Sequence, residues 1–465
     1  MFFKNPHTRL FIFIFLFGAL AACKKDDDSG IVADDDGSIV TDDLPPASFT
    51  GEIEWSKTFG GSREDEAISM VETADGGYAI VGYTLSNDGD IVDKTSTDAD
   101  FWLLKLNTEG ELLWSKTYGG SLDDRATKLI NTSDGGFAII GFTRSNDGDV
   151  SNNNGFYDYW LLKLDTSGTM MWEKTYGFNG NDQGQSVVQT QDGGYFLTGF
   201  LDFEGRQAIQ QTETGRSGNR HGVGEFWGIK TDASGNEQWN QYYGGTNNDR
   251  SYDVVQTEDG GFIMVGNTES DDFDITNPKG SYDFWAVRID DQGNLLWQKN
   301  YGGSSIEIAY AISKTNDGNY LITGDTRSSD QDVSNHKGNA DAWLIKINDS
   351  GDLLWQKTFG GAEFDTGRSI SEMPNGNLLL FGSSRSADQD VSTNYGQSDF
   401  WLVITGPTGN IIFEKNYGGS ALDFGNSSLL SSTGNIILAG STESTDFDVS
   451  NNQGSKDVLV IKLKN

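Results

Sequence analysis

Asp147, Asp149, Ser151 and Asn153, within "DGDVSNN", put an oxygen-bearing side chain at every second position. Oxygen donors so spaced can converge on Ca²⁺, which takes about six to eight of them at about 2.3–2.6 Å. Related pairs occur at Asp88 and Asp90, Asp272 and Asp274, Asp330 and Asp332, Asp388 and Asp390, and Asp446 and Asp448. The same carboxylates could instead cap their own turns through Asx hydrogen bonds. Both readings stay open at this point, and Ca²⁺ is the one cofactor the sequence suggests.

Other chemistry is sparse. His336 lies in the polar stretch "SNHKGNAD" and reads as an exposed loop residue, and Cys23 is the single cysteine, so no intrachain disulfide can form. The sequence has no G-x-S-x-G elbow, no H-E-x-x-H and no P-loop. With 69 acidic residues, paired carboxylates carry no information by themselves. No catalytic residue is assigned. The enzymatic alternative is a carboxylate-dependent glycan hydrolase or lyase, with Ca²⁺ as a possible helper. A formal net charge of −36 argues against nucleic acid as a partner.

The elements that position these residues are repeats. Tryptophans at 55, 114, 172, 239, 297 and 355, with Phe413 seventh, recur mostly every 58 residues, and so do Trp102, Trp160, Trp227, Trp285, Trp343 and Trp401, with Leu459 seventh. Both series lengthen at the same place. Each unit reads as four short strands, as in "RATKLINT", "FAIIGFT", "YWLLKLD" and "LLWSKTYG", with an Asp-Gly hairpin signal between the first two. A four-stranded all-β repeat of this length is a propeller blade. The sequence therefore predicts an all-β, seven-bladed β-propeller over residues 49–465, with four antiparallel strands per blade. The tail "VLVIKLKN" stops where the head "FTGEIEWSKTFGG" takes over. One N-terminal and three C-terminal strands should thus complete the seventh blade and remove two free sheet edges.

The recurring pattern [LI]-[DN]-x-x-G-x-x-x-W resembles the tryptophan-docking repeat of quinoprotein-like propellers. That resemblance implies that the glycine lets the third-to-fourth strand turn pass close to a neighbouring blade. It also implies that the tryptophan packs on that turn, so that a buried tryptophan braces each joint. The quinone cofactor of the enzymatic members does not follow from it. Two acid series also recur in every unit and are assigned structural roles: Asp65, Asp124, Asp182, Asp249, Glu307, Asp365 and Asp423, and Asp100, Asp158, Glu225, Asp283, Asp341, Asp399 and Asp457.

What differs between blades can recognise a ligand. The first strand of each blade should be innermost, where a small residue such as Ala126 or Gly367 follows the leading acid by two places. Beside it the types vary: Arg125, Gln183 and Arg250 on one side, Tyr252, Tyr310 and Arg368 on the other. These form a candidate ligand-binding ring. Unit three replaces its acidic loop with residues 202–226, carrying Arg206, Arg216, Arg220 and His221. This basic loop is added to the candidate site.

The N-terminus addresses location. Lys4 and Arg9 precede an apolar run from Leu10 to Leu20, too short for the roughly 20 residues a spanning helix needs. Leu20-Ala21-Ala22-Cys23 resembles a bacterial lipobox, and "CKKDDD" resembles the export signal of Bacteroidota surface lipoproteins. The resemblance implies a signal peptide over 1–22, a lipid on Cys23 and a flexible acidic tether over 23–48. The expected protein is a monomeric binding or scaffolding module for a protein or glycan. It would be anchored to the outer membrane by its lipid, on the cell surface or on the periplasmic face.

Overall fold

The computed structural model describes residues 49–202 and 222–464. The signal, Cys23, the tether, and Arg206, Arg216, Arg220 and His221 lie outside these residues. The described chain forms 28 strands in seven four-stranded antiparallel sheets and, among the described residues, no helix. Numbered in chain order, the first blade is β2 (Asp65–Glu72), β3 (Tyr78–Thr84), β4 (Asp100–Leu106) and β5 (Leu112–Tyr118), paired in that order. The last joins β26 (Asp423–Leu430), β27 (Ile436–Thr442) and β28 (Asp457–Leu463) to β1 (Ile53–Phe59). The antiparallel register of β1 and β28 runs from Trp55 opposite Lys462 to Phe59 opposite Val458. The one-plus-three closure is therefore present.

The core is not central. It is divided into seven apolar clusters, each built from two adjacent blades, as where Ile80, Trp102 and Leu104 meet Ile437, Val458 and Val460. The two middle strands of the first and last blades are buried along their whole length because both faces meet a neighbouring sheet.

The docking geometry is equally direct. Gly110, at φ +75°, turns its backbone against the ring of Trp55, and an added Cβ would meet that ring at 2.9 Å. Trp239 and Trp297 donate their indole N–H to the carbonyls of Asp291 and Asp349 at 3.2 and 3.0 Å. Tyr243 and Tyr301 donate to the carbonyls of Gly293 and Gly351, each at 2.6 Å. One expectation needs correcting. The docking tryptophans are only half-buried, because their strand is the outermost of each sheet and one edge meets solvent. The fully buried set is the other series, Trp102 through Trp401. These pack across the joints on aromatic neighbours, as Trp160 does on Phe101 at 4.6 Å and Trp343 on Phe284 at 4.6 Å. Each such ring buries on the order of 150–250 Å².

Gly318 has a similar φ of +78° but nothing within 4 Å of an added Cβ. Gly318→Ala should cost only left-handed strain, about 1–2 kcal/mol. Gly110→Ala should add a clash of about 1–3 kcal/mol. Denaturant midpoints of the two variants should therefore separate, with Gly110→Ala the lower.

Candidate functional site

The inner strands carry the site. In every one the register slips directly after the small residue, for instance between Ala126 and Lys128 and between Gly367 and Ser369. The slip is a β-bulge, which leaves one residue unpaired and re-aims its side chain. In the first three blades the bulged residues are Ile68, Thr127 and Gln185; in the other four they are Tyr252, Tyr310, Arg368 and Asn426. All seven border one cavity of about 770 Å³ at the centre of the ring. The cavity reaches the blade ends from which the second-to-third strand loops spring, since Arg385, Ser398 and Lys456 also line it.

Two of the bulged residues stitch the ring. Thr127 donates to the carbonyl of Gly184 at 2.9 Å and Asn426 to that of Ala67 at 2.8 Å, each in the next blade. Three others form a ladder along one wall. The Tyr252 and Tyr310 rings lie 5.6 Å apart, and the Arg368 guanidinium lies 3.6 Å from the centre of Tyr310. Behind them Asp325 is 1% exposed, and burial pushes its carboxyl up to about 6, opposed by Arg368 and Arg327. The floor is closed by Asp253. It accepts from Ser186 at 2.7 Å and from the Ile312 backbone at 3.1 Å, and pairs with Lys128 at 3.2 Å. One carboxylate thus ties four consecutive blades across the axis.

Of the residues singled out in the sequence, Arg125, Tyr252, Tyr310 and Arg368 border the cavity. Arg125 does so while paired with Asp123 at 3.0 Å and lying 4.4 Å from the ring centre of Tyr83. Gln183 and Arg250 do not border it. Gln183 is held by Asn181 at 2.9 Å, and Arg250 stacks 4.8 Å from the Phe200 ring centre. Sequence reasoning missed Gln185, Thr127, Ile68 and Asn426. Their common offset of one place after the small residue was the available signal. His336 is not an exposed loop residue. It is half-buried, its Nε2 has no partner, and burial lowers its pKa.

The acidic loops turn outward from this cavity to the crossings between blades. Asp147 accepts from the Ser121 backbone at 2.7 Å and Asp149 from Gly119 at 3.2 Å, both in the segment arriving from the preceding blade. The same two bonds recur at Asp88 and Asp90 and at four other blades. Asn153 donates to the carbonyl of Thr143 at 2.9 Å, and Ser151 is exposed. The aspartates therefore brace the crossings, while Asn153 caps its own turn by accepting from the Gly155 backbone at 2.9 Å. Among the described residues no three His, Cys, Asp or Glu side chains gather as a metal site would require.

The two repeated acid series meet at those crossings. A Cβ on Gly360 would lie 2.5 Å from Asp365 Oδ2 and 3.0 Å from Asp341 Oδ1, so the two carboxyls flank one glycine. The first-strand acid is well supplied with donors: Asp365 accepts from Gly361 at 2.7 Å and from Ser386 at 2.8 Å. Its partner is not, since Oδ1 of Asp341, Asp399, Asp158 and Asp457 is buried without a hydrogen bond. Burial, with the facing carboxylate adding to it, raises Asp100, Asp341 and Asp399 to about 7. In these three pairs the third-strand acid is the one held toward its protonated form; in the Asp158–Asp182 pair burial raises both, Asp158 to about 6 and Asp182 to about 7.

Comparison with solved structures places this architecture among known propellers. A chain of a mitotic checkpoint complex aligns at a TM-score of 0.51 with 9% identity, covering 97% of this chain and 99% of that one. The WD40 domain of Neurospora crassa Pan2 gives 0.48 at 8% identity, covering 90% and 97%. Drosophila Plexin A in complex with Semaphorin 1b gives 0.44 at 8%, covering 89% and 88%. Identity this low establishes shared fold alone. No known family and no curated protein matches the sequence.

A pH test follows from the acid pairs. Unfolded, these acids titrate near about 3.9. Folded, Asp100, Asp341 and Asp399 hold their protons to about 7. The folded state thus binds more protons, and stability falls as pH rises from about 4 to about 7. Asp259 works the other way: its hydrogen bonds with Arg288 hold it at about 2, so its contribution is lost only in stronger acid. Thermal midpoints should be higher at pH 5 than at pH 8. Asp341→Asn combined with Asp399→Asn should flatten that slope.

Proposed function

We propose that the protein is a lipid-anchored binding module whose recognition site is the central cavity at the loop-bearing end of the ring. The observation that carries this reading is the set of seven bulges. A scaffold that otherwise repeats its residues blade after blade delivers seven side chains, no two adjacent ones alike except Tyr252 and Tyr310, into one space. The cavity's volume of about 770 Å³ falls in the range of small-ligand sites, about 300–1,000 Å³. Its two carboxylates are committed to neighbours: Asp253 as described, and Glu66 by the hydroxyl of Tyr83 at 2.7 Å. That favours binding over carboxylate-dependent hydrolysis.

The anchor rests on the sequence. A lipid on Cys23 and an acidic tether over 23–48 would hold the propeller off the outer membrane, facing a protein or glycan partner at the cell surface. Propellers of this fold occur within protein assemblies, the mitotic checkpoint complex being one.

Cys23→Ala should move the protein from the membrane to the soluble fraction. Protease added to intact cells should degrade the propeller of the anchored form. Whatever the protein retains from surface extracts should be lost on Gln185→Trp, which fills the cavity from a bulge. It should survive Leu296→Ala, on an exposed outer strand. Retention that ignores Gln185→Trp would remove the cavity from the account.

A further inference from the structure

The cavity reverses the charge of the molecule. The chain carries 33 basic and 69 acidic residues, yet the lining holds five cations, Arg125, Lys128, Arg368, Arg385 and Lys456, against Glu66 and Asp253. Three of the five have carboxylate partners: Arg125 with Asp123 at 3.0 Å, Lys128 with Asp253 at 3.2 Å and Lys456 with Glu66 at 3.7 Å. Among the described residues, no carboxylate lies within 4 Å of the guanidinium of Arg368 or Arg385. Both side chains are exposed to the cavity side of the ring. Arg368 is fixed by its stack on Tyr310, which leaves the guanidinium edge, with its fork of N–H donors, available.

The rest of the lining narrows the ligand further. Gln185, Ser369, Ser383 and Ser427 supply amide and hydroxyl groups, while Phe364 and Phe424 supply ring faces or edges. Ser369 and Ser383 already bond to Ser428 and the Gly425 backbone within the wall, but a lipid chain would leave Gln185 and Ser427 unmatched. A polyanion would need more free cations than two.

We propose that the cavity binds an acidic sugar, a ring bearing hydroxyl groups and one carboxylate, with Arg368 and Arg385 receiving the carboxylate. The hydroxyls then meet the serines and Gln185, and the apolar face of the ring meets the phenylalanines. This assignment rests on the cavity being the recognition site.

The test is calorimetric titration of the purified protein with galacturonic acid, with its methyl ester, and with galactose 6-sulfate. The expected result is binding of the acid at least about tenfold tighter than the ester, since hydrogen bonds to a charged group are worth about 1.5–3 kcal/mol. Arg368→Ala should bring the acid down to the affinity of the ester. Tighter binding of the sulfated sugar than of the acid overturns the carboxylate assignment. Equal affinity for acid and ester, abolished by Gln185→Trp, overturns the acidic ligand and leaves the recognition site standing. Binding of the acid that survives Gln185→Trp overturns the site itself. Failure to bind any of the three overturns the sugar proposal.

Discussion

The ring can shut only because the last sheet is assembled from both ends of the propeller chain. β1 supplies the outer edge that β28 would otherwise present to solvent. Two residues before it stands Gly51, whose carbonyl accepts from Tyr417 at 2.9 Å and from Lys415 at 3.0 Å in the preceding blade. The strand itself carries Trp55, which packs on the turn at Gly110 of the following blade. A single segment therefore completes one sheet and two joints. Every apolar cluster is shared between adjacent blades, so an open arc would expose two half-clusters and two unpaired edges. The central cavity has walls only while the ring is closed.

Within that closure the sheets meet through two kinds of contact. At the outer rim, aromatic side chains lie on glycine turns. At the crossings, backbone N–H groups are held by acids from the next blade, two per crossing in six blades. The acids make the crossings specific but concentrate charge. In four of the facing pairs the third-strand acid, Asp158, Asp341, Asp399 or Asp457, has a buried oxygen without a donor. Holding a proton there is the cheaper solution, since a second buried charge would cost several kcal/mol. The ring's acidity thus serves its joints.

Much of this was legible in the sequence. Two tryptophan series in step fixed the number of blades, and the match of head to tail fixed the closure, because both are matters of spacing. The glycine opposite each docking aromatic was visible for the same reason. The bulges were not. A strand read by simple alternation assigns each residue to one face, and a bulge shifts that phase, marked here only by the small residue before it. Tyr252, Tyr310 and Arg368 were noticed because they are large and variable. Thr127, Gln185 and Asn426 occupy the same place with unremarkable side chains. The bracing by the acid loops was not legible for a related reason: their partners are backbone N–H groups in a separate segment, which carry no sequence signature. His336 was judged by its polar neighbours, although its loop folds back onto the ring.

The most direct test of the closed ring is covalent. Ser56 lies opposite Ile461 across the β1–β28 pair, and its hydroxyl is buried without a partner, so little is lost by replacing it. With cysteines at both positions, the facing pair should oxidise spontaneously, because directly opposed strand residues satisfy disulfide geometry. The account predicts complete loss of both engineered thiols, and resistance to denaturant raised by up to about 5 kcal/mol in the oxidised form. Thiols that stay free and reactive under oxidising conditions, in a protein that remains folded, would show that the two ends do not share a sheet.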